Sequence, residues 1–150
     1  MSIKETLQKN LTEAIRSRDE ITSGTIRMVL SAITNEEVAG KEARVLTDDE
    51  VITVLTREAN KRREAAEAFE TAGRTDKAAL EKSEGEVIAK YLPAQLSEAE
   101  VATIIAEAIA ATGASGPGDM GKVMGAVKPK IAGKADGGVV SALVKAALNK

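Results

Sequence analysis

Residues 47–73 read TDDEVITVLTREANKRREAAEAFETAG, and this stretch decides the fold class. Thr47 followed three positions later by Glu50 is a capping box, in which hydroxyl and carboxylate each accept a backbone N–H that a helix start would leave unpaired. Asp48, Asp49 and Glu50 also put negative charge at the positive end of the helix dipole. The apolar seam Ile52, Leu55, Ala59, Ala66 and Phe69 keeps the helical period, and Gly73 suits the residue just past the end. The spacing predicts one long helix reaching Ala72.

The same signals recur on either side. Ser2 with Glu5 caps a helix carrying Ile3, Leu7, Leu11 and Ile15 at four-residue spacing. Asp19 to Gly24 reads as a polar break, and Ile26, Leu30 and Ile33 form a second apolar face ending before Gly40. Gly40 to Arg44 reads as a loop. Beyond Gly73, Thr75 or Asp76 is expected to cap a helix with Leu80, Val87, Ile88 and Leu92, which Pro93 stops. Ser97 with Glu100 caps again, before Val101, Ile104, Ile105, Ala108 and Ile109. Met120, Val123, Met124 and Val127 mark a short helix that Pro129 is expected to end or kink. After a turn at Lys134 to Gly138, Val139, Val140, Leu143, Val144 and Leu148 line a last helix. No segment alternates with period two long enough to make a strand. The expectation is all-α, an N-terminal helical bundle over residues 1–93 and a smaller C-terminal three-helix domain over 94–150.

Composition narrows the chemistry. The 150 residues are 43% hydrophobic, 26 of them alanine, and the only aromatics are Phe69 and Tyr91. Without His or Cys, the chain lacks Cys–His and Ser–His nucleophile pairs and zinc sites built on those ligands. Without a set of aromatics it lacks stacking platforms for single-stranded RNA. No cofactor and no catalytic residue are expected. The formal net charge is −2, no apolar run approaches the roughly 20 residues of a membrane span, and the first residues lack the apolar stretch of a signal peptide. A cytoplasmic protein without a membrane partner is expected.

Three motifs carry charge or glycine in telling patterns. Gly116-Pro117-Gly118-Asp119-Met120-Gly121-Lys122-Val123 satisfies seven positions of a phosphate-binding P-loop, but Val123 stands where a magnesium-binding hydroxyl belongs and an alanine-rich helix stands where a strand belongs. It reads as an inter-helix turn whose amides and Lys122 could hold one phosphate of a larger ligand. Lys61-Arg62-Arg63 lies mid-helix with Glu58–Arg62 and Arg63–Glu67 at ion-pair spacing, and one Arg falls at the edge of the apolar seam, where it requires a carboxylate or a phosphate. Residues 120–150 hold Lys122, Lys128, Lys130, Lys134, Lys145 and Lys150 against Asp136 alone. This local basic surface on an acidic chain is the electrostatic footprint of a phosphate-backbone contact. Pro129 is expected to show the Lys128 and Lys130 amines near one turn. The neighbouring acids Glu36-Glu37 and Asp48-Asp49-Glu50 suggest no acid–base pair, since adjacent residues do not face each other across a helix.

Arg27-Met28, Tyr91-Leu92-Pro93-Ala94-Gln95-Leu96 and the run Met120-Gly121-Lys122-Val123-Met124 through Lys128-Pro129-Lys130 to Gly133-Lys134-Ala135-Asp136-Gly137 together resemble the YqeY-like family. That family is similar to the tail domain of the B subunit of tRNA-dependent amidotransferases. The matching pattern often has Arg where Lys134 stands, a change that keeps charge and loses bidentate geometry. The resemblance implies a tRNA- or RNA-contacting module, while glutamine hydrolysis and acyl-phosphate chemistry belong to other amidotransferase parts. The expected function is a non-catalytic contact with tRNA or another structured RNA through Lys122, Lys128, Lys130 and Lys134, with Arg62 and Arg63 as lesser contacts. Two other readings are an accessory component of a glutamine-dependent tRNA amidotransferase, with an amidotransferase or other translation-related protein as partner, and a protein-interaction adaptor using the Ala102, Ala106, Ala110 face.

Overall fold

All three capping boxes form. The Ser2, Thr47 and Ser97 hydroxyls accept the N–H groups of Glu5, Glu50 and Glu100, whose carboxylates accept the capping residues' own N–H groups. They open α1 (Ile3–Arg16), α3 (Asp48–Thr71) and α5 (Glu98–Thr112) in a computed structural model that describes residues 1–149. The other helices are α2 (Glu20–Glu37), α4 (Thr75–Ala89), α6 (Met120–Ile131) and α7 (Gly137–Leu148), and a single 3₁₀ turn, Pro117–Asp119, leads into α6. No strand occurs among the described residues, so the fold is all-α. The chain divides into two compact units, Met1–Pro93 with α1 to α4 and Ala94–Lys150 with α5 to α7.

In the first unit α3 and α4 form the most extensive pairing, α1 packs along α2, and α2 also touches α3 and α4. Leu7, Ile26, Val29, Ile33, Leu46, Val51, Val54, Leu55, Val87 and Ile88 make its core, with Tyr91 and Leu92 packed on the edge. Several seam residues sit elsewhere than their spacing suggests. Steps of four residues advance a helix by about 400°, so a strict +4 seam drifts about 40° per step. By Ile15 the seam has left the core, Ile15 is exposed, and Ala14 is buried instead. Leu80 is exposed and Ala78 takes its place against the core. The polar break shrinks to Ser17–Asp19, because Asp19 accepts from Thr22 N–H and starts α2 there, with Arg18 in the left-handed region at φ 59°. Arg74, without a side-chain cap, precedes α4 where Thr75 or Asp76 was expected. α4 runs unbroken through Gly85, where a Cβ would lie 3.8 Å from the Arg62 Cβ, an ordinary contact.

Glu37 organises the long α2–α3 connection. Its side chain is only 10% exposed, and Oε1 lies 2.7 Å from Lys4 Nζ on α1. Its other oxygen accepts the Leu46 N–H at 3.2 Å, and its carbonyl accepts the Arg44 N–H at 3.0 Å. One carboxylate therefore fixes α1, the end of α2 and the loop that seats Leu46 in the core.

The second unit has its own core of Val101, Ile105 and Ala108 from α5, Val123, Val127 and Ile131 from α6, and Val140, Val144 and Leu148 from α7. Pro129 does not end the helix: α6 continues to Ile131, whose buried side chain completes the +4 series with Val123 and Val127. Pro129 lacks the N–H that would bond the Gly125 carbonyl, and burial of Ile131 offsets that loss. The turn before α7 is shorter than its glycines suggest, since Asp136 accepts the Val139 N–H and Gly137–Gly138 already belong to the helix.

Two outcomes follow for the first unit, both read by urea unfolding and the fluorescence of Tyr91, the only tyrosine in a chain without tryptophan. Leu55 is fully buried, and Leu55→Ala is expected to lower stability by about 2–5 kcal/mol. The Lys4 amine first, and the Leu46 N–H second, hold the Glu37 carboxyl below its ordinary range. Its contribution is thus complete above the ordinary glutamate value of about 4.3 and lost as pH falls through the depressed one. Glu37→Gln is expected to unfold at lower urea at pH 7, with the gap to wild type closing on the acid side of that value.

Candidate nucleic-acid interface

Burial of one stripe of α6 decides where its lysines go. Val123, Val127 and Ile131 face α5 and α7, with Met124 and Ala126 packed at the margin. At about 100° per residue, Gly121, Gly125 and Pro129 then fall on the far side, with Lys122 and Lys128 about 60° to either side of Gly125 and about 9 Å apart along the axis. All five residues are exposed. A Cβ built at Gly121 or Gly125 would meet nothing within 4 Å, so neither glycine is required by packing within the chain. Lys130, two positions from Lys128, leaves the helix about 200° away from it. The two amines expected near one turn share that turn but project from opposite flanks of α6.

The loop entering α6 is tied internally rather than arranged as a P-loop. Asp119 accepts the Ser115 N–H at 3.0 Å, which is the main cause of its depressed carboxyl, and Lys122 Nζ lies 3.8 Å from its Oδ1. That pair is exposed on the lysine side, where ion pairing is weak. A 3₁₀ turn, not a strand, precedes the helix.

Lys134 is positioned by its backbone. Gly133 takes φ 73°, a left-handed conformation that glycine adopts without strain. The Gln95 side-chain amide donates to the Gly133 carbonyl at 2.8 Å, and the Leu96 N–H donates to the Lys134 carbonyl at 2.9 Å. The Lys134 N–H is itself donated to Ile131 at 2.8 Å. The side chain stays exposed. Among the described residues Lys128, Lys130, Lys134 and Lys145 form no ion pair, and Lys150 lies outside those residues. Asp136 caps α7 with its carboxylate and so is engaged by a backbone donor. The Gln95–Gly133 clamp was not anticipated from the sequence. Its signal was the appearance of Tyr91–Leu96 and Gly133–Gly137 in the same set of characteristic stretches.

The two arginines belong to the first unit and are both engaged there. Arg62 is 11% exposed, with Nη1 2.7 Å from Glu58 and Nε 3.5 Å from Glu84. This is the carboxylate alternative for the Arg at the seam's edge. Arg63 is exposed, hydrogen-bonds Asn60 and lies 4.0 Å from Glu67 Oε1. Ala102, Ala106 and Ala110 are exposed along α5. No group of three or more acidic residues placed to hold a metal occurs among the described residues. Nor is any helix among them long and apolar enough to cross a membrane.

Comparison with known proteins sets this geometry in a family. The chain is 32% identical over 97 residues to "Uncharacterized protein C22F3.15" of Schizosaccharomyces pombe, covering 64% of this chain and 76% of that one. It is 33% identical over 87 residues to "Altered inheritance of mitochondria protein 41, mitochondrial" of Candida glabrata, covering 58% of this chain and 48%, about half, of that relative. The family model described as "Yqey-like protein" matches residues 4–148, nearly the whole length. By that match, spanning the lysine-bearing α6 and the Gly133–Lys134 turn alike, the chain belongs to the YqeY-like family.

Proposed function

We propose that the second unit of this chain contacts structured RNA, with tRNA the intended class, through phosphates and without catalysis. The observation that carries the reading is the exposed lysine set on α6 and the turn after it. Residues 120–149 hold five lysines and a single acid from Asp136, and four of those lysines have no ion-pair partner among the described residues. Lysines used only for solubility are commonly interspersed with acids, whereas here one sign dominates the segment. The bare backbone at Gly121 and Gly125, flanked by Lys122 and Lys128, supports the same reading: a sugar–phosphate chain could approach a helix that carries no side chains there. With two aromatics in the chain, both in the first unit, recognition would follow backbone shape rather than base stacking. A cytoplasmic setting goes with this reading, since tRNA is handled there.

Titration of the full chain with tRNA across a salt series tests it. Affinity is expected to fall with salt at about 0.9 log–log units per phosphate neutralised. Lys122→Glu with Lys128→Glu is expected to weaken binding at least tenfold and to flatten the slope by about two units, while Lys130→Glu, nearer the buried stripe of α6 than either, has a smaller effect. Binding indifferent to salt and to these reversals would refute the assignment. Gly125→Ala supplies a second measurement. Alanine replaces glycine inside a helix with open space around its Cβ, so the second unit should gain about 0.5–1 kcal/mol in thermal unfolding followed by circular dichroism. The same variant is expected to bind tRNA more weakly despite that gain.

A further inference from the structure

The charged cluster around Arg62 has no part in the RNA reading, and its balance is unusual. Glu58 and Glu84 have side chains only 11% and 16% exposed, and both are drawn to the one Arg62 guanidinium. Glu58 is well supplied: Arg62 Nη1 donates to it at 2.7 Å, and Lys61 Nζ lies 3.2 Å from its other oxygen. Among the described residues Glu84 has only Arg62 Nε, at 3.5 Å, an ion-pair distance without hydrogen-bond geometry, and that Nε is buried with no acceptor. Glu81 stands nearby on the same helix and repels it. The third helix packed here, α2, contributes Met28, whose sulfur accepts from Arg62 Nη2 at 3.4 Å and carries no charge. Counting Lys61 and Arg62 against Glu58, Glu81 and Glu84 leaves one negative charge in excess.

We propose that Glu84 is a proton-operated latch between α3 and α4, closed when its carboxyl is neutral and strained when it is ionised. Removing water from two carboxylates that share one guanidinium leaves the less well-bonded one uncompensated, and a proton is the cheapest compensation available to it. Burial, foremost, and then Glu81 push the Glu84 carboxyl up, with Arg62 opposing them. A group whose value is raised in the folded state binds its proton more tightly there than in the unfolded chain. Its contribution to stability therefore grows as pH falls through the raised value and is complete below the unfolded one. This runs opposite to Asp19, Glu37 and Glu50, the depressed carboxyls of the same unit.

The test compares full-length wild type with Glu84→Gln, a permanently neutral mimic of the protonated latch, by urea unfolding followed at Tyr91 from pH 4, below the ordinary glutamate value of about 4.3, upward to pH 8. Relative to wild type, Glu84→Gln is expected to gain several-fold in its folding equilibrium constant as pH rises across that range. A ratio independent of pH, or one moving the other way, would overturn the proposal. Carboxyl ¹³C titration of the wild type keeps the question open to measurement if the variant does not fold. Glu84 is expected to titrate above the other glutamates, and a midpoint at or below theirs would overturn the latch as well.

Discussion

With two aromatic side chains in 150 residues, this chain must build its cores from branched aliphatics and alanine, and that constraint governs the rest of the structure. Each fully buried Val, Leu or Ile contributes about 1.5–3 kcal/mol through burial, and none fills much space by itself. Helices must therefore come close and present several such residues in register. Val123, Val127 and Ile131 on α6 do so against Val140, Val144 and Leu148 on α7, and Ala66 and Ala78 let α3 and α4 approach in the first unit. The narrow buried stripe on α6 leaves the rest of that helix to solvent. It is this geometry, not any special signal at the lysines, that puts Lys122 and Lys128 outward.

What was legible in the sequence follows the distance over which each interaction acts. The capping boxes at Ser2, Thr47 and Ser97 join residues three apart, so a local pattern announces them. The all-α class was legible for the same reason, since helical periodicity is local. Departures arise where a neighbour from another element decides the matter. Ala14 displaces Ile15 because seam drift is resolved only against α2, and α6 outlasts Pro129 because Ile131 has a place in the core.

The candidate interface was legible as composition and not as arrangement. Counting charges found the lysine-rich segment, but Lys128-Pro129-Lys130 reads as one cluster until a helix carries its two amines to opposite flanks. The role of Glu37 was hidden because its partners, Lys4 and Leu46, stand 33 and 9 positions away. Arg62 shows the same limit from the other side. Its need for an anion and its local partner Glu58 were readable from spacing, whereas the second carboxylate, Glu84, arrives from α4 and was not.

The clamp between Gln95 and Gly133, together with the Leu96–Lys134 backbone bond, has a mechanical consequence. The first residues of the second unit are sewn across 38 positions to the turn that carries Lys134. Any tension entering along the backbone at Ala94 is delivered to that turn before it reaches α5. The stretch that leads into the second unit is thus also a lever on one of its cationic side chains.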